Sequence, residues 1–391
     1  VKAARQEAAE TKDRYWLHIL LFVLTLLGCI YAGYLLVGRG LLYREMGLER
    51  AVMDGLMYAA PLLIFLTVHE FGHFLAARYH QVRTSWPYYI PAFFPGMLTL
   101  GTFGAVIRIR EPVPNIRKLF DIGVGGPIAG FVVALGVLIY ALATLPPPEY
   151  LLDVPGHEAL KAYIMETGRF PEQPLTATDE NSFRLYVGYT PLYWMLSQLF
   201  SHVPPMYEVH HYPVLFAGWL GLFFTALNLL PVGQLDGGHI LYALVGRRWH
   251  SRLARGIVMV LLLSGSIGFM KEMGPVLAGY ADWSGGLDWF ILAGILYLFL
   301  KSVFGGNHRQ IAPALLGLIL VTLAAEYAGP ALTKFGWTGW FVWCILIVAF
   351  IKIDHPPVLY HEPLDRRRRI LGIVAMVIFI LCFSIRPLYV G

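Results

Sequence analysis

AVMDGLMYAAPLLIFLTVHEFGHFLAARY, Ala51–Tyr79, is the stretch that decides the fold. It is apolar over more than the ~20 residues a helix needs to cross the hydrocarbon core of a bilayer. Yet its last third carries His69, Glu70 and His73. Ionisable side chains within a spanning helix are costly and default to function. Histidines at i and i+4 share one helix face, with Cβ atoms about 5–6 Å apart, so two imidazoles there can hold one metal ion. Glu70 directly follows His69 and can lean toward a water on that metal and take its proton. The competing reading is a histidine pair satisfied by neighbouring helices, and the cost of placing one in a span weakens it.

The rest of the chain agrees with a membrane setting. Hydrophobic residues make up 57% of the 391 and charged residues 14%, against roughly 25% charged in a typical soluble domain. Mean hydropathy is +0.60. These values exclude a soluble globular enzyme, a disordered chain and a fibrous protein. Eight further apolar runs reach toward bilayer length: Trp16–Gly38, Leu119–Leu145, Pro213–Leu230, Gly256–Phe269, Gly286–Phe304, Ile311–Ala328, Gly336–Ile353 and Ile370–Ile385. The first is too long for a signal peptide and lacks a cleavage pattern, so it reads as a span. The expected fold is an all-α polytopic membrane protein of about nine transmembrane helices. Cys29, Cys344 and Cys382 are widely spaced within apolar runs and form neither a disulfide framework nor a Cys-based zinc site. The net charge of +5 reflects membrane topology; no nucleic-acid-binding pattern accompanies it.

Nine spans place the termini on opposite sides. With the N-terminus cytoplasmic, the inside segments hold 21 of the 30 Lys and Arg residues, including Arg366–Arg369. That asymmetry predicts a cytoplasmic N-terminus. Ala51–Tyr79 then runs inward, and His69 lies about 27 Å along it, near the cytoplasmic third of the core.

Three regions follow: 1–50, a tail and first span; 51–255, a membrane core holding the chemistry; and 256–391, further C-terminal spans of no assigned role. Within the core, 81–118 mixes Pro87, Pro91 and Pro95 with glycines, which breaks helices. Val106, Ile107 and Ile109 favour a strand over Phe103–Arg110, with a re-entrant loop as the alternative. The loop 146–212, extracytoplasmic in this topology, carries eight acids and three bases. It reads either as a small folded cap or as a connecting loop, with helix-like stretches near His157–Met165 and Pro191–Phe200.

A third metal ligand is sought in Asn228-Leu229-Leu230-Pro231-Val232-Gly233-Gln234-Leu235-Asp236-Gly237-Gly238. Pro231 ends a helix, and the glycines permit irregular backbone at membrane depth, which is tolerated only inside protein or beside water. Asp236 can reach inward as a carboxylate ligand or cap the next helix. His239 beside it is a candidate to orient a ligand. Gly123-Val124-Gly125-Gly126-Pro127-Ile128-Ala129-Gly130 reads as a close-packing helix face. His80, His210, His211, His250, His355 and His361 read as solvated loop residues.

His-Glu-x-x-His in one span, with Asn-x-x-Pro-x-x-x-Leu-Asp-Gly at the end of a later one, resembles the site-2 protease family of intramembrane zinc metalloproteases over roughly residues 51–246. The resemblance implies one zinc ion per chain on His69, His73 and Asp236, with Glu70 as catalytic base. It implies a substrate-positioning or oxyanion-side role for Asn228, and a membrane-associated β-hairpin between the second and third spans. The implied activity is regulated intramembrane proteolysis: cleavage in or beside a transmembrane segment of a membrane-protein substrate, in a lipid bilayer. A bacterial inner membrane is the expected location, with an organelle membrane as alternative. The rival readings are a catalytically silent metal-binding scaffold, which has no need of Glu70, and a metal transporter, which the scarcity of polar residues in the later spans disfavours.

Overall fold

Backbone N–H and C=O groups find no water in hydrocarbon, so apolar runs must close their hydrogen bonds internally. In the computed structural model all nine runs do so as helix. The structure describes residues 14–94, 99–113, 115–171, 185–280, 286–358, 360 and 362–390. The tail 1–13, Pro95, residues 172–184 of the long loop and His361 lie outside them.

Besides two four-residue turns of helix at Tyr43–Met46 and Pro330–Thr333, the helices among the described residues are α1 Tyr15–Val37, α2 Leu48–Tyr79, α3 Ile116–Ala143, α4 Glu158–Thr167, α5 Pro191–Ser197, α6 Pro213–Asn228, α7 Asp236–Tyr280, α8 Leu287–Val303, α9 His308–Tyr327, α10 Gly339–Leu346 and α11 Arg366–Cys382. Five of them, α1, α2, α3, α7 and α9, are long and apolar enough to cross a membrane. The expected nine crossings are therefore not matched helix for helix. α6, α8 and α11 have 16, 17 and 17 residues. α10 has 8, continued by a π-turn at Ile347–Ile351. The expected short span Gly256–Phe269 is part of α7, which starts at Asp236 and breaks only at Gly246 (φ 77°, ψ 172°). Arg247–Arg255, expected as a loop, is helical because that one break is followed directly by another helical run.

Contacts divide the chain into two units, and both α3 and α6 are continuous across the division. One unit comprises Val1–Val113, Gly125–Ser182 and Leu199–Leu222; the other comprises Pro114–Val124, Phe183–Gln198 and Phe223–Gly391.

In the first unit α1 packs along α2 and against an antiparallel hairpin of β1 Tyr88–Ala92 and β2 Gly101–Val106. The strand expected at Phe103–Arg110 thus begins and ends earlier. Pairing resumes beyond it, with Ser85 N donating to Arg108 O and Arg110 N to Arg83 O, both at 2.9 Å. Pro87 has no N–H to carry the ladder between the two parts. The described part of 146–212 in this unit is ordered, with a 3₁₀ turn at Pro148–Asp153, α4, and a second at Val209–His211.

In the second unit α7 packs against α8, α9 and α10. Ser264 on α7 donates to Phe335 O at 2.6 Å, and Trp340 Nε1 donates to Ile385 O at 2.8 Å. A second antiparallel pair, unexpected from the sequence, joins β3 Leu185–Val187 to β4 Leu388–Val390. Its residues are too few for a period-2 pattern to register. Arg368 makes two bonds to the Asp121 carboxylate, at 2.8 and 2.7 Å, tying α11 to the start of α3.

One buried ion pair anchors the first unit. Arg39, just past α1, donates to Asp54 on α2, and each is 1% exposed. Tyr43 donates its hydroxyl to the same carboxylate at 3.0 Å. Removing one partner strands a buried charge, which costs about 3–5 kcal/mol. Asp54→Ala should therefore lower the thermal midpoint strongly in detergent, whereas the Arg39→Met/Asp54→Leu pair should recover much of the loss. Equal destabilisation by both would show that the charge pair does not govern this contact.

Candidate functional site

α2 delivers the first half of the site. Along it, His69 and His73 are one turn apart and buried, at 2% and 6% exposure, with Glu70 at 5%. Their Nε2 atoms stand 3.2 Å apart, with the rings 4.9 Å apart and nearly perpendicular. That spacing is within hydrogen-bond reach. It also matches the edge of a tetrahedron around a zinc ion, ~3.3 Å for Zn–N bonds of 2.0–2.1 Å. Two neutral imidazoles and a carboxylate are the donors such an ion prefers. Glu70 Oε1 lies 3.9 Å from His69 Nε2. The residues present fit a metal.

The glycine face of α3 makes room for this. A Cβ on Gly126 would stand 2.2 Å from His73 Nε2, and one on Gly130 3.0 Å from His69 Nδ1. A Cβ on Gly72 would stand 2.4 Å from Gly125 O, so the α2 and α3 backbones touch at the motif. The packing reading of these glycines therefore needs sharpening: Gly126 and Gly130 are the floor under the two imidazoles.

Sequence reasoning passed over Tyr89. It lies on β1, is buried, and its hydroxyl is 2.7 Å from Thr67 Oγ1, one helical turn before Glu70. Nothing in the local pattern marks it, since the hairpin carries Tyr88 and Tyr89 side by side and only pairing decides which faces α2.

The second unit carries the other named residues. Asn228 is the last residue of α6, followed by a turn in which Val232 N donates to Leu230 O at 2.7 Å. Gly233 has φ +57°, and a Cβ there would stand 1.7 Å from Lys352 O. Its N–H donates to Ile353 O at 3.1 Å. Asp236 is the half-buried first residue of α7. The capping carbonyl belongs to Leu235, which accepts from His239 N at 2.9 Å, so Asp236 does not take the cap position. His239 Nδ1 lies 2.7 Å from His355 Nε2, and His355 Nδ1 lies 2.6 Å from Pro356 O. A carbonyl only accepts, so His355 Nδ1 donates to Pro356 O, and His355 Nε2 shares one proton with His239 Nδ1.

Several histidines read as solvated are not. His211, His250 and His355 are 5%, 1% and 4% exposed. Each lies in or beside a polar stretch, and tertiary packing buries it.

With this geometry in view, comparison with known proteins is decisive for the family: the pattern of peptidase family M50 matches residues 57–267. The chain belongs to peptidase family M50. This is the site-2 protease family. Among similar proteins, the probable zinc metalloprotease EGY2, chloroplastic, of Arabidopsis thaliana is 26% identical, over 63% of this chain and 41% of its own length. The probable zinc metalloprotease EGY1, chloroplastic, of Oryza sativa subsp. japonica is 32% identical, over 50% of this chain and 29% of its own. The Arabidopsis thaliana EGY1 is 30% identical, over 48% and 29%. The chain thus spans less than half the length of these relatives. No solved structure matches it.

The seating of His73 on Gly126 is directly testable. Gly126→Ala should weaken zinc binding at least tenfold in chelator competition. Gly136→Ala, on the same helix with nothing within 4 Å of its Cβ position, should leave it unchanged. Equal affinity in both would show that α3 does not position the ring.

Proposed function

We propose that this chain is an intramembrane zinc endopeptidase that hydrolyses a peptide bond in or beside a transmembrane segment of a membrane-protein substrate. His69, His73 and Asp236 would hold one zinc ion per chain. Its main support is the 3.2 Å approach of two buried imidazoles beside a buried Glu70, in a member of family M50.

When bound, zinc lowers the pKa of a coordinated water and polarises the scissile carbonyl. Glu70 accepts the proton of the attacking water and returns it to the leaving amine. Burial keeps bulk water from the carboxylate, which sharpens its interaction with the proton it holds. By its resemblance to the family, Asn228, at the end of α6, would position the substrate or donate on the oxyanion side. A substrate helix shields its carbonyls by its own hydrogen bonds and must unwind first. The β1–β2 hairpin offers strand edges on which an unwound segment can pair. Glu70 also argues against a silent scaffold, which needs metal ligands but no base.

The charge asymmetry supports a cytoplasmic N-terminus and a cut on that side of the membrane. The protein is integral to a membrane by family and apolar helices. The relatives named above are chloroplastic, which supports an organelle membrane and lends none to the bacterial inner membrane.

Glu70→Gln should keep the zinc held at the α2 histidines and lose cleavage by about 10²–10⁴-fold, while His69→Ala should lose both cleavage and the zinc of that site. Comparing membrane-protein fragments in cells carrying wild type and Glu70→Gln would reveal the substrate. Near wild-type turnover by Glu70→Gln would remove it as the base. Mass spectrometry of both new termini tests the side of cleavage, and a bond mapped to the far leaflet would overturn the orientation.

A further inference from the structure

Away from the α2 site, the first unit gathers His157, Glu208 and His211, one ligand atom from each lying within 4.8 Å of the others. His157 Nδ1 is 3.4 Å from Glu208 Oε1, and His211 Nε2 is 3.5 Å from Glu208 Oε2. Charge-assisted hydrogen bonds between such groups close to about 2.7–2.9 Å. Ligands sharing one zinc ion stand ~3.3 Å apart, given bonds of 2.0–2.2 Å. The observed separations match the second case.

The ring orientation agrees. His211 Nδ1 lies 2.9 Å from Val37 O. A carbonyl only accepts, so Nδ1 is the donor to it, and the other ring nitrogen, Nε2, faces the Glu208 carboxylate. Metal-bound histidines are oriented by this kind of bond from the other ring nitrogen to a backbone carbonyl. Glu208 and His211 are 1% and 5% exposed. His157 is the residue before α4, has left-handed backbone (φ 59°, ψ 30°) and does not cap that helix with its side chain. Its ring turns to Glu208 instead. Arg39 adds positive charge nearby, but it is engaged by Asp54.

We infer that His157, Glu208 and His211 form a second zinc site, separate in sequence and in ligands from the one on α2. Three protein ligands, with the His157 side chain 22% exposed, leave one position for water. The ion would tie the start of α4 to the turn before α6 and, through His211, to the end of α1. This site does not depend on the chain being a protease.

The test uses the full purified chain and zinc itself. His69→Ala/His73→Ala should still bind about one zinc ion per chain, with an X-ray absorption shell of nitrogen and oxygen at ~2.0–2.1 Å and no sulfur. Adding Glu208→Gln to that background should abolish it. His157→Ala should weaken it about a hundredfold. Failure of His69→Ala/His73→Ala to bind zinc at micromolar free metal would overturn the proposal, as would binding that His157→Ala leaves unchanged. Either result concerns this site alone, since the α2 ligands are already removed.

Discussion

Direct backbone contact between Gly72 on α2 and Gly125 on α3 is the constraint around which the first unit is built. In hydrocarbon, helices gain little from apolar burial against one another, and close packing of small residues supplies the association. Here the same contact has a chemical consequence. Bringing the two backbones together places Gly126 and Gly130 beneath His73 and His69, and any larger side chain would fill the space the rings occupy. Helix packing and site formation are one event.

Non-helical backbone is the second constraint. It survives at membrane depth only where its polar groups are satisfied by protein or water. The hairpin meets this by pairing β1 with β2 and by Thr102 Oγ1, which donates to Ile90 O at 3.0 Å and accepts from Gly104 N at 2.9 Å. The turn between α6 and α7 meets it by donating Gly233 N–H to Ile353 O. That bond gives part of the C-terminal region a definite structural duty: residues 351–353 hold the turn that precedes Asp236.

Buried charge follows the same economy. Arg39 and Asp54 neutralise each other, with Tyr43 completing the carboxylate. Arg368 spans Asp121 and Asp365, so part of the basic run Arg366–Arg369, read only as a topology signal, also locks α11 to α3. Burial pushes the Asp354 carboxyl up, but the Ser251 hydroxyl and the Arg255 guanidinium prevail and hold it below the usual range.

Much was legible in the sequence because the signals are local. Apolar run length marked every helix that was expected, since hydrocarbon leaves the backbone few alternatives. His69, Glu70 and His73 were readable because a helical period of 3.6 puts i and i+4 on one face. Pro231 and the glycines after it announced a break before Asp236. Helix ends were less legible: α7 runs through a stretch whose charges suggested a loop, because basic residues can sit on a helix that leaves the membrane. Facts that join distant residues were not legible at all. Tyr89 beside Thr67, the floor of Gly126 and Gly130, the β3–β4 pair, and the convergence of His157, Glu208 and His211 depend on which faces meet. Local periodicity says which face a residue occupies; only packing says what that face touches.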